Sequence, residues 1–444
     1  MEKVERLADL LLDSTWTTND LEQIVSAVTR AGAAPCEGLA DRLITWFPSP
    51  PSRTALIGWL LRTKGLGRAV RLKLLKQQRG ERRFKLSTMR ASVPIANQWD
   101  IPPIADSGEL ALFLDLPSTL VDWLSSHRNS HYRIALTRKR SGGLRLIEAP
   151  KTKLKCVQHR IATQILNLLP VHSAVHGFVR NRSAVSYVQP HVSRSVVLRM
   201  DLKDFFPSIT ASRVFGLFRS LGYPHVVTHS LTNLSTALTT IDELEEAMRA
   251  SGEQPFHYSM QNHATREQAR SLYGQRHLPQ GAPTSPALAN LVAYRLDCRL
   301  AGLAASAKVT YTRYADDLLF SGNDDFGRSA RAFAIQVGSI ALDEGFEVNF
   351  RKTRVMRRST RQFAAGIVIN QRTNLQRSEY DQLKATLFNC VKNGPASQNR
   401  DARANFRMHL LGRINWVKQL NPARAAKLTK VFDEIDWSDS NTNA

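Results

Sequence analysis

Two apolar segments about a hundred residues apart each place carboxylates where a buried strand is expected. Val196–Met200 runs directly into Asp201, and Tyr311–Phe320 carries Asp316 and Asp317 at its centre. Burying an ionised carboxylate costs several kcal/mol unless a cation accompanies it. A fold that keeps these acids between apolar strands must therefore bring positive charge to them.

The adjacent acids fit a hairpin better than a continuous strand. Side chains alternate along a strand, so Asp316 and Asp317 cannot face one side unless a turn bends the chain. An Asp-rich turn would explain this pair, but it would not explain Asp201 on a second apolar strand. Two Mg²⁺ ions roughly 3.5–4 Å apart, bridged by Asp201 and Asp316, form the arrangement used in in-line phosphoryl transfer. The pattern therefore favours a two-metal centre.

The overall charge indicates a polyanionic partner. The chain has 61 Lys and Arg residues against 38 Asp and Glu residues, a net charge of +23. Such a charge repels itself unless a polyanion neutralises it, and an anionic membrane would usually also require an amphipathic or lipid anchor. Nucleic acid is therefore the expected partner.

The sequence predicts a cytoplasmic protein without a membrane partner. No apolar run approaches the roughly 18–20 residues of a spanning helix, and the N-terminus, Met1–Arg6, lacks the apolar core of a signal peptide. The cysteines are too far apart for a zinc site or a disulfide framework. They are predicted to be reduced, mostly buried thiols: Cys36, Cys156, Cys298 and Cys390.

Positive charge is concentrated in Arg53–Arg90, where Glu81 is the one acid. The spacing predicts a basic helix followed by a linker. A solvated charged face is one interpretation, but a face of one sign without pairing acids is costly unless it is bound, which favours nucleic-acid contact. The residues assigned to that contact are Arg68, Arg71, Lys73 and Lys76.

Hydrophobic periodicity divides the chain near residue 95. Apolar residues recur at helical spacing from Val4 to Trp46, which predicts a small helical module. Leu110–Trp123 is also predicted to be helical. Alternation in Tyr132–Leu136 and Leu144–Ile147, joined through Ser141–Gly143, predicts a β-hairpin.

Further predicted strands alternate with helical stretches. They are Val196–Asp201, Val309–Tyr314, Leu318–Ser321 and Phe363–Val368. The chain has no glycine-rich nucleotide-binding loop, so the pattern indicates an α+β core and excludes Rossmann and P-loop domains.

Motifs in a fixed order resemble those of reverse transcriptases over about Tyr132–Leu428. Tyr314–Asp317 with Asp201 resembles the palm signature of that family. The other motifs are Leu278–Pro286 before a long palm helix, Gly345–Asn349 leading to Lys352–Thr353, Gly366–Asn370 at the primer grip, and Leu411–Val417 in a thumb helix.

Within that family, the chain is most similar to the bacterial retron type, with group II intron enzymes as close cousins. The similarity rests on His176–Phe178 with Arg182–Ser183, and on Asp201–Ser208. Two motifs differ from the retron pattern. Ser186–His191 keeps only the His of Asn-Ala-x-x-His, and Ala364–Gly366 replaces Val-Thr-Gly.

The resemblance implies a role for each acid and for one lysine. Asp201 and Asp316 would hold two Mg²⁺ ions, and Asp317 would be a weaker or indirect ligand. Lys352 would protonate the pyrophosphate leaving group or contact a phosphate. The imidazoles of His176 and His191 are expected to be packed or hydrogen-bonded, because two-metal transfer needs no histidine.

The resemblance also implies residues that contact the deoxynucleotide. Phe206 would exclude a 2′-hydroxyl, although a core phenylalanine is the alternative. Arg145, assisted by Lys139 or Arg138, would bind the triphosphate or would be a surface charge. Gln280 and Gly281 would lie beneath the nucleotide, or would form a plain turn. Gly366 is assigned to nucleic-acid binding in the primer grip.

We therefore expect a right-hand polymerase: an N-terminal helical and basic module (1–95), fingers and palm (96–365), and a primer grip with a helical thumb and a short disordered tail (366–444). The resemblance implies an RNA-directed DNA polymerase that copies part of a structured noncoding RNA into single-stranded DNA, within a retron antiphage defence system. The implied partners are that RNA, its DNA product and dNTPs, with an effector or toxin protein left open. The alternatives are another defence-associated or group II-like enzyme, including a template-independent one, and a non-catalytic RNA-binding scaffold.

Overall fold

The computed structural model describes residues 2–29, 36–70, 99–126, 131–138, 144–253 and 260–438. It separates into two compact units. Unit 1 contains Met1–Pro170 and Phe206–Val292, and unit 2 contains Val171–Phe205 and Ala293–Ala444. Among the described residues, none of the helices has the length and apolar character needed to cross a bilayer.

Unit 1 begins with a helical module. Its helices are Glu2–Leu12, Thr18–Val28, Leu39–Trp46, Arg53–Arg62 and Leu66–Ala69. Side-chain caps start two of them, since the hydroxyls of Thr17 and Ser52 accept hydrogen bonds from backbone N–H groups of the first turn. Leucines at helical spacing pack into one buried cluster beneath these helices.

The predicted basic helix is shorter than expected. It begins at Arg53 but ends at Arg62, and Gly65, which has a φ of +84°, precedes the next short helix. Thr63, the residue after Arg62, already has an extended backbone (φ −75°, ψ 99°), so the helix stops there, and left-handed Gly65 separates it from the next helix. The remaining basic residues, Arg71–Arg90, lie outside the described residues.

The rest of unit 1 combines a hairpin with helices. Strands β1 (Tyr132–Arg138) and β2 (Leu144–Pro150) pair antiparallel, as predicted, and the predicted connection Ser141–Gly143 lies outside the described residues. The helices are Ser107–Leu114, Ser118–Ser126, Thr152–Gln164, Ala211–Ser220, His225–Ser235, Ile241–Ala250, Met260–Tyr273 and Ser285–Val292, with a 3₁₀ turn at Leu166–Leu168. The single helix predicted over Leu110–Trp123 is wrong, because left-handed Asp115 (φ 58°) ends the first of two helices and Pro117 follows it.

Unit 2 is built on an antiparallel sheet. Its strands are β3 (Val196–Lys203), β4 (Thr310–Tyr314), β5 (Asp317–Gly322), β6 (Glu347–Val348) and β7 (Arg354–Arg357). They follow the order β4-β5-β3-β6, and β7 also pairs with β3. The apolar residues of β3 and β5 are buried, so these strands form the centre of the sheet.

Helices complete unit 2. They are Ala184–Val188, Tyr294–Ser306, Asp324–Asp343, Arg377–Asn393, Phe406–Leu420 and Pro422–Asp433, with 3₁₀ turns at Gln189–His191, Phe350–Lys352 and Pro395–Ser397. The last three α-helices share a buried core that includes Leu387, Ile414 and Leu428. The long helix expected after Pro286 is divided into Ser285–Val292 and Tyr294–Ser306.

The single strand predicted over Phe363–Val368 is also wrong. The segment forms two short strands, β8 (Phe363–Ala364) and β9 (Ile367–Val368), joined by Ala365 and Gly366. Both turn residues have positive φ, +47° and +81°, which is the backbone that a two-residue hairpin requires. Mixed helix and sheet agree with the predicted α+β class.

The prediction of mostly buried cysteines is wrong. All four are free, but Cys156 and Cys298 are exposed, Cys36 is half-buried and Cys390 is buried. Cys156 and Cys298 lie on amphipathic helices, on the face opposite the buried residues, so the helical repeat places them toward water.

Candidate active site

Strand pairing in unit 2 gathers the three predicted acids. Asp201 on β3 stands directly opposite Asp317 on β5, and Tyr314 pairs with Asp317 across the β4–β5 hairpin. Ala315 and Asp316 therefore form a two-residue turn, with Ala315 left-handed at a φ of 54°. We call Asp201, Asp316 and Asp317 the acid cluster.

Backbone hydrogen bonds fix the position of the acid cluster. The Leu202 N–H donates to the Asp316 carbonyl oxygen at 2.9 Å, and the Asn349 N–H donates to the Asp201 carbonyl oxygen at 2.7 Å. Arg313 donates from Nη1 to the Ala315 carbonyl oxygen at 3.0 Å. The main chain that carries Asp201 and Asp316 is thus held in place independently of their side chains.

A fully buried ion pair supports the turn. Arg313 donates from Nε and Nη2 to the two carboxylate oxygens of Asp297, both at 2.7 Å. The Tyr311 hydroxyl donates to the same carboxylate at 2.8 Å. Because both charges are completely removed from water, each depends on the other for compensation.

A glycine allows the chain to pass close to the turn. A Cβ added to Gly177 would lie 2.6 Å from the Ala315 nitrogen and 3.1 Å from the Tyr314 carbonyl carbon. Backbone cannot move aside as a flexible side chain can. Gly177 is therefore required by space at the base of the acid cluster.

Two cations contact the acid cluster. Arg199 donates to both carboxylate oxygens of Asp317, at 2.8 and 3.0 Å from Nη2. Lys352 donates from Nζ to the two oxygens of Asp201 at 3.1 and 3.0 Å. The side chains of Asp201 and Asp317 keep 13% and 17% of their surface accessible, so the cluster is shielded but not sealed.

Burial and like charge oppose ionisation of the central acid. Burial, followed by the charges of Asp317 and Asp201, raises the pKa of the Asp316 carboxyl to about 6. Burial also raises the pKa of Asp317, while the neighbouring Arg199 guanidinium opposes that rise. The two cations present therefore do not fully compensate the cluster.

This donor set fits a divalent cation. Carboxylate oxygens are the ligands that Mg²⁺ prefers, and uncompensated negative charge favours a further cation. Within the described parts of the chain, no group of three His, Cys, Asp or Glu side chains stands in a preformed metal-ligand arrangement. Carboxylate oxygens of Asp317 and Asp201 are hydrogen-bonded to Arg199 and Lys352 instead.

Unit 1 brings together another set of predicted residues. The Glu148 N–H on β2 donates to the Gln280 carbonyl oxygen at 2.9 Å. Gly281 has a φ of +127°, and an added Cβ would lie 3.2 Å from the Glu148 carbonyl oxygen. Arg145 lies on the same strand, exposed and opposite Thr137. The Gln280–Gly281 loop is therefore held to the hairpin that carries Arg145.

A buried network lies behind this loop, and we call it the Glu148 network. The Glu148 carboxylate accepts from the Thr239 hydroxyl at 2.5 Å and is 2.9 Å from His277 Nε2. The side chains of Glu148 and His277 are 2% and 0% exposed. His277 precedes Gln280 by three residues, so the network anchors both the strand and the loop.

The remaining predicted residues are placed separately. Phe206 is half-buried in the turn after β3, in unit 1, whereas the acid cluster is in unit 2. Gly366 is at the tip of the β8–β9 hairpin, where an added Cβ would meet no atom of the described chain within 4 Å. The predicted residues whose side chains lie outside the described residues are Lys139, Arg68, Arg71, Lys73 and Lys76.

Sequence reasoning did not find the residues that support the acid cluster. Arg199 precedes Asp201 by two residues on one strand, so alternation alone places both on one face. The sequence around Gly177 does not show that a side chain there would collide with the turn. The ion pair of Arg313 with Asp297 also cannot be predicted from the residues near either one in the sequence. His191, expected to be hydrogen-bonded, is 2.7 Å from Ser321 Oγ through Nδ1 and is buried.

Comparison with known proteins identifies the class. The family described as reverse transcriptase (RNA-dependent DNA polymerase) matches residues 137–383. The chain is 43% identical over 304 residues to the retron Mx65 reverse transcriptase of Myxococcus xanthus, covering 68% of this chain and 64% of the relative. It is 33% identical over 350 residues to the retron Mx162 reverse transcriptase of the same organism, covering 74% and 67%.

A third relative is more distant. The retron Ec86 reverse transcriptase of Escherichia coli is 32% identical over 260 residues, covering 58% of this chain and 69% of the relative. The chain thus spans about two thirds of the length of these relatives. It belongs to the reverse transcriptase family, in its bacterial retron type, and that family implies a right-hand polymerase fold.

Proposed function

We propose that the chain is an RNA-directed DNA polymerase that copies part of a structured noncoding RNA into single-stranded DNA within a retron. The acid cluster carries this proposal, because Asp201, Asp316 and Asp317 converge on a paired hairpin in a chain of the reverse transcriptase family. The similarity to retron enzymes supports the retron assignment. A role in antiphage defence, with an effector or toxin protein as a further partner, extends the same proposal.

The metal proposal follows from the chemistry of the cluster. Asp201 and Asp316 hold two Mg²⁺ ions, and Asp317, already bound to Arg199, contributes charge or a weaker ligand. The cations supply charge stabilisation to in-line phosphoryl transfer. Lys352, whose ammonium contacts Asp201, contacts a phosphate or protonates the leaving group.

The nucleotide proposal concerns unit 1. Arg145, with Lys139, binds the triphosphate, and Gln280 and Gly281 lie beneath the nucleotide. The hydrogen bond from Glu148 to Gln280 supports this grouping, since it joins the loop to the strand of Arg145. Phe206 excludes the 2′-hydroxyl. Gly366 contacts the primer. The RNA phosphates are contacted by a basic segment around Arg68, Arg71, Lys73 and Lys76. We place this activity in the cytoplasm.

The proposed function is tested by changing Asp316 and Asp317 to Ala together. DNA synthesis on an annealed primer and template should fall to background, whereas RNA binding should be largely kept, because metal-held chemistry and phosphate contacts are separate. Asp201→Asn should behave in the same way. Retained Mg²⁺-dependent synthesis by the double variant would refute the active-site assignment.

The template is identified by sequencing the nucleic acid that copurifies with the wild-type chain. Treatment with RNase and DNase in turn should reveal one structured RNA joined to DNA copied from it. DNA unrelated to any bound RNA would favour a template-independent enzyme instead.

Sugar selectivity tests Phe206. Phe206→Ala should allow ribonucleotides to be incorporated more readily, because removing the ring opens space for a 2′-hydroxyl. The measurement is kcat/KM for matched dNTP and rNTP substrates. We expect their ratio to fall about tenfold or more, a loss of at least about 1.4 kcal/mol of discrimination. An unchanged ratio would show that the ring is structural.

A further inference from the structure

An aromatic and basic groove lies in the N-terminal part of unit 1, outside the region that matches the reverse transcriptase family. Its cavity volume is about 550 Å³, within the range of sites that hold one small ligand or one nucleotide. The side chains that define this N-terminal groove are Arg42, Trp46, Trp59, Arg62, Lys64 and Asp115.

The backbone around Trp46 is fixed while its ring lines the groove. The Ser118 hydroxyl donates to the Trp46 carbonyl oxygen, and Trp16 Nε1 donates to the next carbonyl, that of Phe47, at 2.8 Å. Trp46 and Trp59 lie with ring centroids 6.5 Å apart at 58°. Trp59 is only 7% exposed, whereas Trp46 is half-buried. Trp46 therefore presents a rigid aromatic surface on a buried support.

The charge of the groove favours an anion. Arg42, Arg62 and Lys64 are exposed at its edge, opposed by the single acid Asp115. The Arg62–Asp115 contact is 3.3 Å long and both side chains are more than half exposed, so it neutralises little. Lys64 forms no ion pair with any residue in the described ranges.

The sequence continues this charge beyond the groove. Lys64 is followed by a run of basic residues up to Arg90 that contains Glu81 as its one acid. Positive charge that continues along the sequence favours a ligand with many charges over one with a single charge. Aromatic rings beside a basic track are the combination by which proteins bind unpaired nucleotides.

We propose that the N-terminal groove binds an unpaired nucleotide of single-stranded RNA. The base stacks on Trp46, and Arg42 and Lys64 contact the flanking phosphates. The proposal extends the proposed RNA partnership to a site that takes no part in DNA synthesis. It requires a flexible single strand, because the paired bases of a duplex do not expose a face to the ring.

Salt dependence tests the phosphate contacts. The probe is a fluorescein-labelled ten-residue oligouridylate, with its affinity for the full chain measured by anisotropy from 50 to 300 mM salt. The double variant Arg42→Gln, Lys64→Gln should flatten the slope of log affinity against log salt by about 0.7 for each phosphate that it no longer neutralises. Lys3→Gln is the matched control, since Lys3 belongs to the same helical module but does not line the groove.

Base stacking is tested by Trp46→Leu. Affinity should fall about tenfold with the salt slope unchanged, because the ring contributes stacking rather than charge. A blunt-ended RNA duplex of two complementary strands, which has no unpaired bases, should bind all variants equally. Should Trp46→Leu lower the melting temperature, the exposed Arg42 and Lys64 variants still decide the proposal. An unchanged slope in the double variant would overturn it.

Photocrosslinking locates the base directly. An oligouridylate containing 5-iodouridine should crosslink to the tryptic peptide Leu43–Arg53, which contains Trp46, and excess unlabelled oligouridylate should suppress the product. Crosslinks confined to other peptides would overturn the proposal. Equal binding of a ten-residue oligothymidylate, with equal sensitivity to both variants, would overturn RNA as the ligand. If oligouridylate does not bind the wild-type chain at all, the groove proposal fails, whereas the proposed partnership with a structured RNA is decided separately by the nucleic acid that copurifies.

Discussion

The acid cluster and the Glu148 network both place carboxylates on strands, yet their surroundings differ. Glu148 is almost fully buried and receives hydrogen bonds from Thr239 and His277. In the acid cluster, burial and neighbouring acids raise the pKa of Asp316 to about 6, and water retains access to Asp201 and Asp317. The Glu148 network supplies hydrogen-bond partners to its carboxylate, whereas the acid cluster keeps negative charge that its neighbours do not fully compensate.

This difference separates a carboxylate that supports structure from one suited to chemistry. A satisfied buried group stabilises the fold, whereas uncompensated charge costs stability and is retained where a cation or a substrate will use it. Substitutions that remove a carboxylate charge at the two sites should therefore change stability in opposite directions.

The largest effect is expected at Asp316. Asp316→Asn should reduce DNA synthesis by about a thousandfold or more, because the charge proposed to hold Mg²⁺ is removed. In the absence of metal, the same variant should unfold at a higher temperature, because one of three adjacent charges is removed. Calorimetry without and with Mg²⁺ measures the second effect. A lower metal-free melting temperature would contradict the view that this site stores unfavourable charge.

Gly177 sharpens the comparison by disturbing the cluster without removing charge. Gly177→Ala places a methyl group 2.6 Å from the Ala315 nitrogen, so the Asp316 turn must shift. We expect about a hundredfold loss of kcat, as misplaced catalytic groups cause, together with a lower melting temperature. Gly302→Ala is the control, since its added Cβ meets no atom within 4 Å in the described structure and helix propensity should make it neutral or stabilising. Equal behaviour of the two variants would remove Gly177 from the site.

At the Glu148 network, removing a carboxylate should lower the melting temperature, whereas Asp316→Asn should raise it in the absence of metal. Glu148→Gln removes the carboxylate that accepts hydrogen bonds from Thr239 and His277, and a buried polar group left without its partner costs about 1–3 kcal/mol. The melting temperature should fall, and KM for dNTP should rise about tenfold with a smaller change in kcat, because the Gln280 loop loses its support. Glu246→Gln, at an exposed position, is the control. A stable variant with normal KM would show that the network positions nothing.

The smallest effect concerns a buried histidine of unit 2. Burial lowers the pKa of His191 to about 3, from about 6.5 in an unfolded chain. Between these two pKa values the His191 imidazole is protonated in the unfolded state and neutral in the folded state. Stability therefore falls as the pH decreases below about 6.5. The loss should reach about 2 kcal/mol at pH 5.

Denaturant unfolding at several pH values measures this loss. His191→Gln should flatten the acid side of the stability profile, even if it is less stable at pH 7.5. His159→Gln, at an exposed position, should leave the profile unchanged. A wild-type profile for His191→Gln would exclude this histidine as a source of acid sensitivity.

Local patterns in the sequence were sufficient for part of this structure. Alternation predicted the β1–β2 hairpin, and apolar runs ending in acids predicted the strands of Asp201 and Asp317. The wrong predictions depended on single turn residues: Asp115 divides a predicted helix, and Ala365 with Gly366 divides a predicted strand. A positive φ at Asp or Ala has no strong compositional signal, unlike one at glycine.

Long-range partnerships were beyond reach for another reason. Glu148 and His277 are separated by 129 residues, and neither neighbourhood indicates the other. The roles proposed for Arg145, Phe206 and Gln280 remain predictions, because hydrogen bonds and burial place these residues without testing what they bind.

The buried Asp297–Arg313 pair limits how chains of this kind can diverge. Loss of either residue would leave a lone charge in the interior, so intermediates with one substitution should be strongly selected against. Relatives should therefore carry both residues or replace both with apolar ones. Among relatives, Asp297 and Arg313 should therefore be kept or replaced together, and the turn that carries Asp316 should be kept wherever the pair is kept.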